Sequence, residues 1–204
     1  MVLWSTIISV SVALLIVLAS LRPESVAYAY AHMTVSAGVS IAVALSAIRG
    51  VQGLGSSASE MQVSAHLARF MGLIWAWGAL SLFATYATGI VSWKEWFAFF
   101  MVFAIVGALT FFLSARMSGR AERGESDPAL LKTARYMAMA QLAGMVIVML
   151  GLLIDGKMAR FLTVQRENWQ DWAANNYFFF GALGLAIVSA YGVFGVKRTA
   201  VERA

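Results

Sequence analysis

The sequence predicts an all-α integral membrane protein, a bundle of six transmembrane helices with an outer interfacial segment between the fifth and the sixth. Three observations lead to this fold class. Of the 204 residues, 61% are hydrophobic and only 12% are charged, against roughly 25% charged residues in a soluble domain. The apolar residues form long continuous runs, and tryptophans stand at the ends of several runs, as they do at membrane interfaces. Residues 1–204 are treated as a single transmembrane domain.

The same composition excludes several classes of protein. A soluble enzyme or a disordered chain would need far more polar surface to cover this much apolar area. The chain has no cysteine, which excludes disulfide-rich secreted domains and thiolate metal sites. The net charge of +5 is interpreted as a sign of membrane topology, and nucleic acid is not expected as a partner.

Six stretches without any charged residue are each long enough to cross about 30 Å of hydrocarbon as a helix. Their continuous apolar character, over more than the ten or so residues of a barrel strand, predicts helices rather than strands. The first stretch lacks the basic start of a signal peptide and is counted as structural. We number as spans one to six the residues 2–21, 26–48, 70–92, 97–115, 136–154 and 177–196.

Local signals predict where some of these helices begin and end. Ser57 and Glu60 have the spacing of a capping box, which would start the third helix before it enters the membrane. Asp127 followed by Pro128 is a favourable helix start, so the fifth helix is also expected to begin outside the membrane. Asp155 and Gly156 predict the end of that helix, and the residues after them are expected to lie along the outer interface.

The basic residues predict the orientation in the membrane. If the six spans alternate in direction, both termini and the second and fourth connections share one side. That side holds ten of the 15 basic residues: Arg49, Arg69, Arg116, Arg120, Arg123, Lys132, Arg135, Lys197, Arg198 and Arg203. Because basic loops stay in the cytoplasm, we expect both termini to be cytoplasmic, in a bacterial inner membrane, with anionic lipid at the basic loops.

Two polar stripes occur inside the apolar spans. Residues four apart share one face of a helix, and such a face is not expected to point at lipid. The interpretation that we favour is hydrogen bonding between the two helices, and the alternative is the wall of a small cavity. The stripes are Tyr28, His32, Ser36 and Ser40 in span two, and Trp77, Ser81, Thr85 and Thr88 in span three.

The sixth span and the segment before it offer two surfaces for packing. Small residues in the span predict close helix approach, within this chain or against another: Gly181, Ala182, Ala186 and Ala190. The preceding segment is richer in polar and aromatic residues than membrane anchoring needs, and we expect it to cap span six or to dock on a periplasmic partner. Its residues are Trp169, Asp171, Trp172, Asn175 and Asn176.

No cofactor, metal site or catalytic residue is predicted. No Asp, Glu, Lys or Arg lies inside a span, which argues against ion-coupled pumping. His32 and His66 are expected to differ in depth by at least about 24 Å, so they cannot ligate one haem together. A single axial ligand from His32 to a haem or a chlorin is the alternative to a hydrogen-bonded packing role.

Two hypotheses for function follow from these features. The favoured one is an accessory or structural subunit of a larger membrane complex, without catalysis of its own, whose partners are other membrane subunits. The alternative is a small channel, transporter or binder of a hydrophobic molecule, a lipid or a quinone, which would use the stripes of spans two and three. Enzyme activity is not expected.

Overall fold

A computed structural model describes residues 26–55, 57–87, 93–154 and 169–195, and the regular structure within these ranges is entirely helical. The predicted all-α class is therefore confirmed for this part of the chain. Span one lies outside the described residues, so the count of six spans stays a prediction. The helices are α1 (Val26–Gly53), α2 (Glu60–Ala87), α3 (Trp93–Glu122), α4 (Pro128–Ile154) and α5 (Trp169–Ala190), which continues into a π-helical turn over Tyr191–Gly195.

α2 begins before its apolar run, as predicted, but it uses a different cap. The backbone N–H of Gln62 donates to Ser59 Oγ at 3.2 Å, and the Ser59 N–H donates to Gln62 Oε1 at 2.8 Å. This is a capping box two residues further along than the predicted pair of Ser57 and Glu60. Glu60 instead accepts a hydrogen bond from Arg135 Nη2 of α4 at 3.1 Å. The prediction was wrong because two residue pairs, Ser57 with Glu60 and Ser59 with Gln62, both have the spacing of a capping box. The Glu60 carboxylate pairs with Arg135 instead.

The start of α4 at Pro128 confirms its prediction. Asp127 Oδ1 accepts the backbone N–H of Leu130 at 3.0 Å, which satisfies one of the free donors at the start of the helix. Gly124 has a φ of 68° in the preceding turn, a conformation that glycine adopts without steric cost. Glu125 accepts hydrogen bonds from Arg120 Nη1 at 2.8 Å and from Arg123 Nε at 2.7 Å. This turn is thus held by local polar contacts.

α5 begins at Trp169, eight residues before the predicted start of span six. The five residues from Trp169 to Asn176 that were expected on a separate interfacial segment lie on the first turns of this helix. Their place on a helix continuous with span six is a correction, while their position at the outer interface stays a prediction. The physical reason is that the stretch contains no glycine or proline, so nothing in it stops a helix. The side chains of these residues and residues 155–168 lie outside the described part of the chain.

α2 occupies the centre of the bundle and contacts the other four helices. Its closest partner is the antiparallel α3, where Ser114 Oγ donates to the Ala65 carbonyl at 2.7 Å. Two glycines bring these helices together: a Cβ on Gly72 would lie 3.0 Å from the Phe111 ring, and one on Gly107 would lie 3.1 Å from Trp75 Cβ. α5 packs on α1 and α4 and also reaches α2. The most deeply buried side chains include Leu67, Met117 and Val188.

Within the described residues, two helices are long and apolar enough to cross a membrane, over Phe97–Glu122 and Pro128–Ile154. Both also expose large apolar side chains: Phe112 is 62% exposed, Ile147 70% and Ile154 82%. Most of the exposed large apolar side chains of the described residues lie on these two helices, and extended apolar surface is rare on soluble monomers. The apolar helical segments of α1 and α5, Gly38–Gly53 and Phe179–Phe194, are shorter.

Candidate functional site

A cavity of about 170 Å³ lies between the helices, and we call it the central cavity. All five described helices contribute to its wall. α1 supplies Ser40, and α2 supplies the largest part, including two tryptophans. None of the described residues that line it has a titratable side chain. The lining residues are Ser40, Ile74, Trp75, Trp77, Gly78, Phe99, Val102, Phe103, Met145, Val148, Gly181, Ala182 and Leu185.

Aromatic side chains form the deep side of the central cavity. The rings of Trp75 and Phe103 have their centroids 5.0 Å apart, at an interplanar angle of 55°. Trp75 is only 5% exposed and Trp77 only 8%. The Nε1 atom of each indole is buried and has no hydrogen-bond partner among the described residues. The accessible surface of the cavity is therefore almost wholly hydrocarbon.

The central cavity opens between α3 and α4. Its lining residues on these helices include the exposed Phe99, Val102 and Val148. α3 and α4 make few contacts with each other, whereas α2 and α5 close the opposite side. The mouth therefore lies on the same apolar surface that α3 and α4 expose.

Two glycines of α5 have opposite surroundings near this cavity. A Cβ on Gly184 would lie 3.0 Å from the Ser40 carbonyl oxygen, so a larger residue there would push α1 and α5 apart by a few tenths of an ångström. A Cβ on Gly181 would meet no atom within 4 Å. Gly181 lines the central cavity, and its missing side chain leaves part of that volume open.

The structure brings together one member of each predicted polar stripe. Ser40 of α1 and Trp77 of α2 both line the central cavity. Tyr28, His32 and Ser36 lie on α1, and Ser81 and Thr85 lie on α2, but their side chains are outside the described part of the structure, as is all of Thr88.

The small residues predicted for packing lie on α5 in differing surroundings. Ala182 and Ala186 are buried, whereas Gly181 and Ala190 are half-buried. Ala182 and Ala186 are buried by other helices of this chain.

Several residues of the site are ones that sequence reasoning did not single out. Trp75, Phe103 and Met145 look like ordinary apolar filling in a charge-free span, and nothing local distinguishes them. Gln141 did carry a signal, because it is the only Asn or Gln inside a predicted span. It is buried, and its Nε2 donates to Thr110 Oγ1 at 3.5 Å, a contact between α4 and α3 outside the cavity lining.

A second pocket, of about 210 Å³, lies near the start of α2 and has polar and apolar walls in about equal parts. It includes His66, Arg69 and Glu122. The His66 ring packs directly on Gly50 of α1. Burial lowers the pKa of His66 below its ordinary value, the Ala47 carbonyl opposes this shift, and Arg69 adds to it. His66 is therefore neutral at pH 7.

The chemistry available to the central cavity is narrow. It can enclose an apolar group, and among its described lining residues the one hydroxyl is that of Ser40 and none is a titratable acid or base. In the ranges that the structure describes, no group of three or more His, Cys, Asp or Glu side chains could hold a metal ion. No family model, curated protein or solved structure matches the chain.

Proposed function

We propose that this protein is a six-span membrane protein that binds a hydrophobic molecule drawn from the bilayer into the central cavity. The observation that carries the proposal is the position of that cavity: it is enclosed by α2 and α5 and open at the apolar surface of α3 and α4. A molecule already dissolved in the hydrocarbon of a membrane would meet this opening directly.

The size and lining of the central cavity support an apolar ligand. Its volume of about 170 Å³ is close to the roughly 150 Å³ of an engineered protein cavity that stays dry and binds benzene. Water would find too few polar partners on this wall to be stable there. An apolar group would instead gain contact with Trp75, Phe103 and Leu185, all of which line the cavity.

The proposed orientation places both termini in the cytoplasm of a bacterial cell. At the end of the bundle that this orientation assigns to the cytoplasm, three arginines are exposed: Arg49, Arg69 and Arg116. Arginines at this level would meet the phosphates of anionic lipids. This end of α1, α2 and α3 thus supports the cytoplasmic assignment.

An accessory subunit of a larger complex is the second candidate. It is favoured by the apolar face of α3 and α4, which a partner helix could cover. It is weakened at α5, because Ala182 and Ala186, which were expected to pack either within this chain or against another, are already buried within this chain. We therefore place the ligand-binding function first.

The test is to purify the protein in a mild detergent and to identify bound small molecules by native mass spectrometry and solvent extraction. Wild type should retain a hydrophobic molecule. Gly181→Leu should lose it, since the new side chain enters the open volume. Gly151→Leu is the matched control, because Gly151 lies exposed on α4 with no atom within 4 Å of its Cβ position.

Three results would argue against this function. The first is an empty wild-type protein. The second is equal retention of the molecule by the Gly181 and Gly151 variants. The third is isolation only as a discrete complex with other polypeptides and without a ligand, which would favour the subunit.

A further inference from the structure

We infer that the occupant of the central cavity is a single hydrocarbon chain, the acyl tail of a bilayer phospholipid, which enters sideways between α3 and α4. This inference rests on the proposed function and narrows its ligand to one class. The lipid headgroup stays outside the protein, and only part of one chain lies inside.

The lining distinguishes a chain from a polar ring such as a quinone head. Carbonyl oxygens that leave water or an interface need a hydrogen-bond donor, and burial without one is unfavourable. The surface facing the void is almost wholly apolar, and the indole Nε1 atoms of Trp75 and Trp77 are inaccessible. A saturated chain needs no donor, so it suits this wall better.

The volume limits how much of a lipid can enter. A space of about 170 Å³ holds a group of about the size of one benzene ring, which is much less than a whole lipid. The remainder of the molecule must therefore pass through the mouth and stay in the bilayer. The mouth allows this, because its rim residues Phe99, Val102 and Val148 carry no charge.

The physical basis of binding differs from that of a soluble pocket. A chain that moves from bilayer hydrocarbon into the cavity does not leave water, so the hydrophobic effect contributes little. What it gains is dispersion contact with side chains that would otherwise border a void. Binding should therefore be reversible and should exchange readily with chains in the bulk membrane.

Tryptophan fluorescence provides a direct test, because Trp75 and Trp77 line the cavity and are otherwise shielded by the protein. In the variant to be measured, phenylalanine replaces the other five tryptophans: Trp4, Trp93, Trp96, Trp169 and Trp172. This full-length protein is reconstituted into phosphatidylcholine vesicles whose acyl chains carry bromine near their middle. Bromine quenches indole fluorescence only at close range.

We expect strong quenching of Trp75 and Trp77 by the brominated chains. Adding Gly181→Leu should remove most of it, Gly181→Ala should remove less, and Gly151→Leu should leave it unchanged. A variant is counted as folded if its circular dichroism spectrum is helical and it elutes as a single peak in size-exclusion chromatography. If Gly181→Leu does not meet these criteria, Gly181→Ala is used in its place.

A second set of vesicles, without bromine, carries a ubiquinone-type quinone, which also quenches tryptophan. One outcome is that the quinone quenches in a way that depends on Gly181, whereas the brominated chains do not. This outcome would overturn the acyl-chain inference but would leave the proposed function standing. Quenching that is independent of Gly181 with both probes would remove the inference and the proposed function together.

Discussion

At the scale of single residues, two glycines affect the packing of the helices differently, because different groups lie next to them. The Cβ that Gly50 lacks would overlap the His66 ring, and the one that Gly184 lacks would meet the backbone of Ser40. A ring can rotate away, but a backbone carbonyl cannot move without shifting its helix. Gly50 therefore controls the environment of one side chain, whereas Gly184 controls the distance between two helices.

The contact of His66 with α1 leads to a prediction about pH. Burial lowers its pKa below the ordinary 6.5, so the folded protein binds a proton at a lower pH than the unfolded chain does. Stability is then fully present above pH 6.5, and it is lost as the pH falls from there through the folded-state pKa. Among the described residues, the charged groups that line the same pocket as this ring are Arg69 of α2 and Glu122 of α3.

We expect the thermal midpoint of the wild-type protein in detergent to fall between pH 7.5 and pH 5.5, and that of His66→Gln to fall less. The glutamine variant keeps a polar group but removes the titration. Parallel curves for the two proteins would show that His66 does not contribute to acid sensitivity in this range.

At the scale of helices, short-range polar contacts determine where a helix starts. The size of the side chains along its middle determines how closely it packs on its neighbours. Ser59 and Gln62 start α2, and Asp127 starts α4. Further along the helices, small residues allow close contact, as Gly184 does on Ser40 of α1. Substitutions of capping residues therefore test what starts a helix. Substitutions of glycine by alanine, which add one methyl group, test how closely two helices pack.

Asp127→Ala should lower the stability by about 1 kcal/mol, because the backbone N–H of Leu130 loses its acceptor. Asp127→Asn should retain most of the stability, since its amide oxygen can still cap the helix. The ion pair of Asp127 with Arg120, at 3.8 Å, is partly exposed and contributes little. Thermal unfolding of the two variants side by side measures this, and an equal loss in both would assign the effect to charge instead.

Gly184→Ala and Gly181→Ala should change stability in opposite directions. At Gly184 the methyl group presses on the Ser40 backbone, and overpacking typically costs about 1 to 3 kcal/mol. At Gly181 the methyl group enters open space, so the better helix propensity of alanine should add about 0.5 to 1 kcal/mol. Similar midpoints for both variants in thermal unfolding would mean that α1 and α5 do not approach as closely as the structure describes.

At the scale of the whole molecule, burial and exposure are unevenly distributed. α2 is surrounded by the other described helices, while α3 and α4 present apolar side chains outward. In water this surface would promote association, and in a membrane it matches the surrounding hydrocarbon. The opening of the central cavity lies on this outward face, so the proposed ligand would enter from the side of α3 and α4.

The orientation of the whole molecule can be measured with single cysteines, since the chain has none of its own. Ser126 and Lys94 are both exposed, at opposite ends of α3. With cytoplasmic termini, Ser126→Cys should resist a membrane-impermeant maleimide in intact cells and react after permeabilisation. Lys94→Cys should react in intact cells. The reverse pattern would invert the proposed topology.

The helical class and the start of α4 follow from the sequence alone. Uninterrupted apolar runs leave the backbone no partner except itself, and Asp127 with Pro128 acts within one turn of helix. The capping box of α2 was placed two residues too early, because Glu60 is taken by Arg135, which lies 75 residues away in the chain. The start of α5 was placed too late, because hydropathy marks the membrane boundary and not the end of the helix.

The residues that surround the central cavity, in contrast, depend on how the helices pack. Ser40 and Trp77 were predicted to lie on polar faces, but which helices face each other depends on the packing of all of them. The same dependence separates Gly181 from Gly184. Both look like small residues suited to close approach, yet one borders a void and the other a backbone. Helix formation is governed by neighbours within one or two turns, whereas a cavity is bounded by residues from distant parts of the chain.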